Sequence, residues 1–147
     1  TRFGTAADFR ARLESACSQP IIHTIAQAEP IGPKKLLDVL VIAPCTGNTL
    51  AKLANGIADT PVTLAAKAHL RNERPIVIAV STNDALAGNA ENIGKLLARG
   101  HYFFVPMRQD NAIKKPRSVV ADFTRLPETI RAALNGEQIQ PILAAPA

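Results

Sequence analysis

The chain has 147 residues, 47% of them hydrophobic and 20% charged, which is one domain's worth of globular sequence and excludes collagen-like and disordered classes. Its net charge of +5 is modest and aromatics make up only 4%, so a nucleic-acid-binding surface with base-stacking side chains is not expected, and a small anionic ligand suits the balance better. No apolar run reaches the roughly 18–20 residues of a membrane span, and two cysteines, Cys17 and Cys45, cannot make a disulfide framework, which points to a reduced, cytoplasmic setting.

Thr5 with Asp8 has the spacing of a capping pair, so a helix is expected from Thr5 to about Ala16, with Phe9, Leu13 and Ala16 on one face. Residues 21–28 read equally as a strand end or a turn of helix. The prolines and glycine of 29–33 mark a loop. Leu36 to Ala43 is an apolar, branched run that reads as a strand buried on both faces, the mark of a parallel sheet. Leu50, Leu53, Ala54 and Ile57 outline a helix face. Thr60-Pro61 opens a further helix, with Thr as N-cap and Pro in the first turn, whose apolar body runs to Leu70. Pro75 to Val80 is a second buried strand. Leu86, Ala90, Ile93 and Leu97 form a helical stripe closed by Gly100. Tyr102 to Val105 is a third strand, Gln109 to Ser118 a polar loop, and Pro127 opens a last helix that ends at Gly136. This alternation predicts an α/β fold with helices on both faces of a parallel sheet.

In such sheets ligands bind beyond the carboxyl ends of the strands. Three polar loops lie there: Pro44-Cys45-Thr46-Gly47-Asn48-Thr49, Ser81-Thr82-Asn83-Asp84 and Gln109–Ser118. In the first, Gly47 allows close backbone approach, while Thr46, Asn48 and Thr49 offer uncharged donors and acceptors for a ring edge or a carboxylate. The competing reading is that Thr46 and Asn48 simply cap the next helix. Lys114, Lys115 and Arg117, with Ser118 beside them, form the densest basic cluster, either an anion site for a dicarboxylate or phosphate or a solvated loop. Cys45 beside a helix start could carry a lowered pKa, but small buried cysteines are common. Three histidines at 23, 69 and 101 show no metal-ligand spacing, and no Gly-x-Gly-x-x-Gly fingerprint for a nicotinamide cofactor occurs.

The run Pro44-Cys-Thr-Gly-Asn-Thr49, preceded by the strand from Asp38 and followed by Leu50-Ala-Lys-Leu-Ala-Asn-Gly-Ile-Ala-Asp59, resembles the Pro-x-Ser-Ala-Asn-Thr signature of the flavoprotein decarboxylase family. Ala28-Glu-Pro-Ile-Gly-Pro33, Ala43 to Gly56, Ala65-Ala-Lys-Ala-His-Leu-Arg71, Ser81-Thr-Asn-Asp84, Gln109-Asp110 and Lys114-Lys-Pro116 resemble more narrowly the dipicolinate synthase B-subunit family, over nearly the whole chain. The resemblance implies a three-layer flavodoxin-like (Rossmann-like) fold and FMN binding by Pro44, Cys45, Thr46, Gly47, Asn48, Thr49, Ser81 and Asn83. It implies Asn48 and His23 as catalytic residues, the latter because Ile21-Ile22-His23-Thr24 lies where the decarboxylases carry a catalytic His. Lys114, Lys115 and Ser118 are the residues expected to bind a small dicarboxylate.

The implied role is that of one component of an oxidoreductase. With the dehydrogenase-like A subunit of dipicolinate synthase, which alone would handle a nicotinamide cofactor, it would make dipicolinate from a dihydrodipicolinate-level precursor in the mother cell of a sporulating bacterium. A homo-oligomer is also implied. Two other readings are an FMN-dependent decarboxylase or prenyl-flavin enzyme that acts alone, and a non-catalytic component that binds the partner. The decarboxylases' Pro-x-Met-Asn and Met-Trp are reduced here to Asn83, and the chain has no Trp, which counts against a cysteine-peptide substrate. The sequence starts beyond the strand and Gly/Ser-rich turn that hold the FMN phosphate in this family. The domain is therefore expected to span 1–147 without its first strand and helix.

Overall fold

A computed structural model describes residues 3–145. The chain runs α1 (Ala6–Cys17), α2 (Ile25–Ala28), β1 (Leu40–Cys45), α3 (Gly47–Ala54), α4 (Pro61–Leu70), β2 (Ile76–Thr82), α5 (Ala90–Leu97), β3 (Tyr102–Phe104), β4 (Met107–Asn111), β5 (Lys115–Ala121) and α6 (Leu126–Leu134).

β2 is the spine. Its Ile-Val-Ile-Ala-Val run is wholly buried, as β-branched residues in a two-sided layer should be. Alternate side chains feed two cores. Ile76, Ile78 and Val80 pack with Leu50, Leu53, Ala66, Ile93 and Leu96 of the helices on one face. Val77 and Ala79 pack with Ala133, Leu126 and Ile130 of α6 on the other. Three layers result, helix–sheet–helix, as expected. Truncating Ile78 to Ala would cost about 2–5 kcal/mol by the usual scale for buried aliphatic residues.

β1 and β3 both pair with β2 in parallel, through Leu40↔Ile76 and Ile76↔Tyr102. The polar stretch 109–118, expected as a loop, is instead most of an antiparallel hairpin. β4 pairs with β5, and β5 in turn joins the end of β2 through Ser81↔Val120 and Thr82↔Val119. The sheet is therefore parallel at its centre and antiparallel where the hairpin joins it.

Three smaller expectations also change. β1 begins at Leu40 rather than Leu36 and continues through Pro44 to Cys45. It lies at the sheet's edge, so Ala43 and Pro44 are exposed rather than covered on both faces. α5 begins at Ala90, because residues 83–89 turn, and Leu86 is exposed. α1 forms where its capping box predicts, Thr5 with Asp8, yet buries none of its residues. The one-turn helix α2 packs against α4, with Ala28 and Ile31 against Ala65. Among the described residues no helix is long and apolar enough to cross a membrane.

Candidate functional site

Among the described residues four helices begin after a threonine, and three of them use it the same way. Thr5, Thr24 and Thr60 each accept the N–H three residues on and close a capping box. Thr46, ahead of α3, makes no such bond. Its hydroxyl lies 3.4 Å from that of Thr49 instead. The first-turn N–H groups of α3 thus keep their donor capacity and the positive end of the helix dipole. Thr46 and Asn48 are exposed and Thr49 is partly so, at the carboxyl end of β1. The side-chain cap that competed with a ligand-loop reading does not form.

Cys45 points the other way. It is 0% exposed, inside the main core, and burial alone pushes its thiol up to about 12. A neutral thiol of that kind is no nucleophile, and only the backbone of residue 45 belongs to the loop.

What fixes the loop is a polar cluster that sequence reasoning did not single out. A Cβ on Gly47 would lie 2.5 Å from Asn89 Nδ2, 2.7 Å from Thr82 Oγ1 and 2.8 Å from Asp84 Oδ1. Only glycine lets α3 start this close to the end of β2. Those three side chains are bonded to one another. The Thr82 hydroxyl donates to Asp84 Oδ1 at 2.5 Å, and Asn89 Nδ2 donates to Asp84 Oδ2 at 2.8 Å. The two donors hold the Asp84 carboxyl below its ordinary range, so it is charged at neutral pH. The cluster had a signal in the sequence: Thr82 and Asp84 lie two apart, and Asn89 directly precedes a helix, both common spacings for local side-chain bonds.

The loop after β2 opens into a cleft of about 320 Å³ whose lining includes Ser81, Thr82, Asn83, Asp110, Ser118 and Val119. The fold therefore brings three of the expected ligand residues together, Ser81 and Asn83 from one loop and Ser118 from β5. Gly47 against Thr82 joins this cleft to the Thr46–Thr49 loop. Lys114 and Lys115 sit at the exposed hairpin end, and Lys115 Nζ is bonded to Asp110 at 2.7 Å. The wall of the cleft thus carries the carboxylate that holds Lys115. His23 is exposed and packed elsewhere: its N–H donates to Gln27 Oε1, and its Nδ1 lies 3.2 Å from the Ile21 carbonyl. Among the described residues no hydrogen bond joins His23 to the cleft or the loop, and no cluster of side chains could hold a metal ion.

Residues 11–135 match the family model described as Flavoprotein. The B subunit of dipicolinate synthase from Bacillus subtilis is 49% identical over 97% of this chain and 72% of its own length. The crystal structure of the corresponding dipicolinate synthase B subunit from Bacillus halodurans superposes with a TM-score of 0.92 at 47% identity, over 99% of this chain and 74% of that one. The FMN-dependent cysteine decarboxylase SpaF superposes at 0.63 with 27% identity, over 86% of this chain and 70% of that one. The chain belongs to the flavoprotein family, and within it stands with the dipicolinate synthase B subunits.

Proposed function

We propose that this chain binds FMN and serves as the flavin-carrying B subunit of a dipicolinate-forming enzyme, together with a dehydrogenase-like partner that alone uses a nicotinamide cofactor. The observation that carries the reading is the uncapped start of α3 beside the Ser81–Asn83–Ser118 cleft. The first turn of α3 carries no side-chain cap and stands at the carboxyl ends of two parallel strands, where this architecture places ligands. Family membership supplies the flavin, and SpaF is FMN-dependent by its own description.

The donor set fits a flavin. Thr46, Asn48 and Thr49 offer neutral hydrogen-bonding groups to a polar ring edge. The α3 amides, with the dipole behind them, suit partial negative charge. When bound, the flavin supplies a two-electron acceptor for a dihydropyridine-type ring, whose aromatisation drives the transfer. The protein's own part is to hold and orient. Asn48 presents its amide at the loop, and Ser81, Asn83 and Ser118 line the adjoining cleft for a small dicarboxylate. Lys114 adds positive potential at the hairpin end, while Lys115 is neutralised by its pair with Asp110 and would bind a dianion only by leaving that pair. His23, an exposed imidazole, is the residue proposed to move a proton. A homo-oligomer in the mother cell of a spore-forming bacterium completes the proposal.

The test is direct. The purified protein is expected to take up FMN, and Asn48→Ala to abolish product formation in an assembly with the dehydrogenase-like partner. Undiminished turnover by that variant would remove Asn48 from the mechanism. A wild-type protein that stays colourless with added FMN would overturn the flavin reading.

A further inference from the structure

The cluster behind Gly47 does not end at Asp84. Asn89 gives one N–H of its amide to the Asp84 carboxylate and, through its oxygen, accepts from Asn92 Nδ2 at 3.0 Å. Asn92 Oδ1 in turn accepts from Asn55 Nδ2 at 3.4 Å, and Asn55 Nδ2 also donates to the Ala51 carbonyl at 2.8 Å. A relay of side chains thus runs from the end of β2, along α5, to the far end of α3. It touches α3 twice, at Gly47 and at Asn55.

The relay has a direction, set by an acceptor-only group at each end, the Asp84 carboxylate and the Ala51 carbonyl. A carboxylate can only accept, so Asn89 must turn its NH2 toward Asp84. Its oxygen is then left for Asn92, whose oxygen is left for Asn55, whose NH2 meets the Ala51 carbonyl. Each amide has one arrangement that satisfies both neighbours. The same Asn89 Nδ2 is the atom nearest to where a Gly47 side chain would stand. The orientation of this amide and the seat of the α3 start are therefore one geometric fact.

We propose that Asp84 is a positioning residue for the ligand loop: by fixing the β2 end of the Asn89–Asn92–Asn55 relay it sets the wall on which Gly47 rests, and so holds Asn48 and Thr49 in register for FMN. The inference rests on the flavin reading for its ligand but not for its geometry. Asn89→Asp keeps shape and volume while placing a second carboxylate against that of Asp84. Acceptor then faces acceptor with like charge, and no rotation of either side chain restores the bond. The double variant Asp84→Asn with Asn89→Asp restores the pattern. The new amide donates to the new carboxylate, which accepts from Asn92 as before, and the Thr82 hydroxyl still finds an oxygen at position 84.

The experiment pairs two readouts on the full chain. FMN affinity is followed by quenching of flavin fluorescence, and hydrogen exchange of the ligand-free protein is followed at the α3 amides Leu50 to Ala54, with α4 as internal reference. The single variant is expected to weaken FMN binding about tenfold or more, the scale of one charge-assisted bond. It is also expected to speed α3 exchange while α4 stays unchanged. The double variant is expected to return both toward wild type. Exchange that rises equally in α3 and α4 would make Asp84 merely structural, and a double variant as impaired as the single one would overturn the directional relay. If wild-type protein binds no FMN, the flavin reading fails alone, and the exchange pattern still decides the role of Asp84.

Discussion

Gly47 and Asn89 come so close that one methyl group between them would lie 2.5 Å from the Asn89 amide nitrogen. The neighbour cannot swing away freely, because its amide is bonded on both sides. Gly47→Ala is therefore expected to destabilise the fold by about 1–3 kcal/mol, the usual range for overpacking. It should lower FMN affinity with it. Thermal unfolding with and without FMN checks both; an alanine variant of wild-type stability would show that the wall yields.

The two cysteines are expected to separate cleanly in a thiol titration. Cys17 is exposed and Cys45 is buried with its thiol pushed up to about 12. Near pH 8 a disulfide reagent should modify one thiol rapidly in the native protein and the second only on unfolding. Two fast thiols would contradict the core position of Cys45.

His69 gives a pH prediction of definite sign. It is 1% exposed, and its Nε2 lies 3.0 Å from the Pro75 carbonyl. Burial lowers its pKa from the ordinary 6.5, outweighing that bond. The unfolded chain therefore binds the proton more readily. Stability contributed by neutral His69 is complete above about pH 6.5 and is lost as pH falls below it toward the lower folded value. His69→Gln should flatten that part of the stability–pH curve, as measured by denaturant unfolding at pH 5 and 7.5. An unchanged slope would exclude His69 as its source.

The end of α3 offers a fourth test. Arg99 donates from Nη1 to the Leu53 carbonyl at 3.2 Å and from Nη2 to the Ala54 carbonyl at 2.8 Å. A cation here satisfies two terminal carbonyls and suits the helix dipole. Arg99→Ala should cost about 1–2 kcal/mol, and Arg99→Lys should recover only part of it, since an ammonium lacks the planar fork. Urea unfolding of the two variants is the check.

Much of the frame was legible because it is written locally. Thr60 and Pro61 start α4 as predicted, and the β-branched run of β2 names itself as the buried strand. The hairpin was not legible. Gln109 to Arg117 is polar and charged, with no alternation to mark a strand, and its pairing comes from elsewhere. Its support is β5, anchored through Val119 and Val120 to Thr82 and Ser81, far back in the chain. The candidate site divides the same way. The Thr46–Thr49 loop stands out by its residue types, and Ser81, Asn83 and Ser118 meet in one cleft. The bonds of Asp84 to Thr82 and Asn89 are local and had a signal in their spacing, but their packing against Gly47 is a long-range relation that spacing does not contain. His23 drew notice by its chemistry, but its described bonds stay within its own segment.

The hairpin is fastened to the sheet by the Ser81 and Thr82 ladder and by the Leu86 N–H bonded to the Arg117 carbonyl. Its turn, from Asn111 to Lys115, is exposed and closed by Asn111, whose side chain accepts from the N–H groups of Ile113 and Lys114. The two sides of the cleft are thus separate inheritances. The β2 side is locked by the core and by the amides behind Gly47, whereas the hairpin turn can change length and charge without disturbing either. Divergence in what such a protein accepts as substrate should accumulate in the hairpin, while the loop at Gly47 stays as it is.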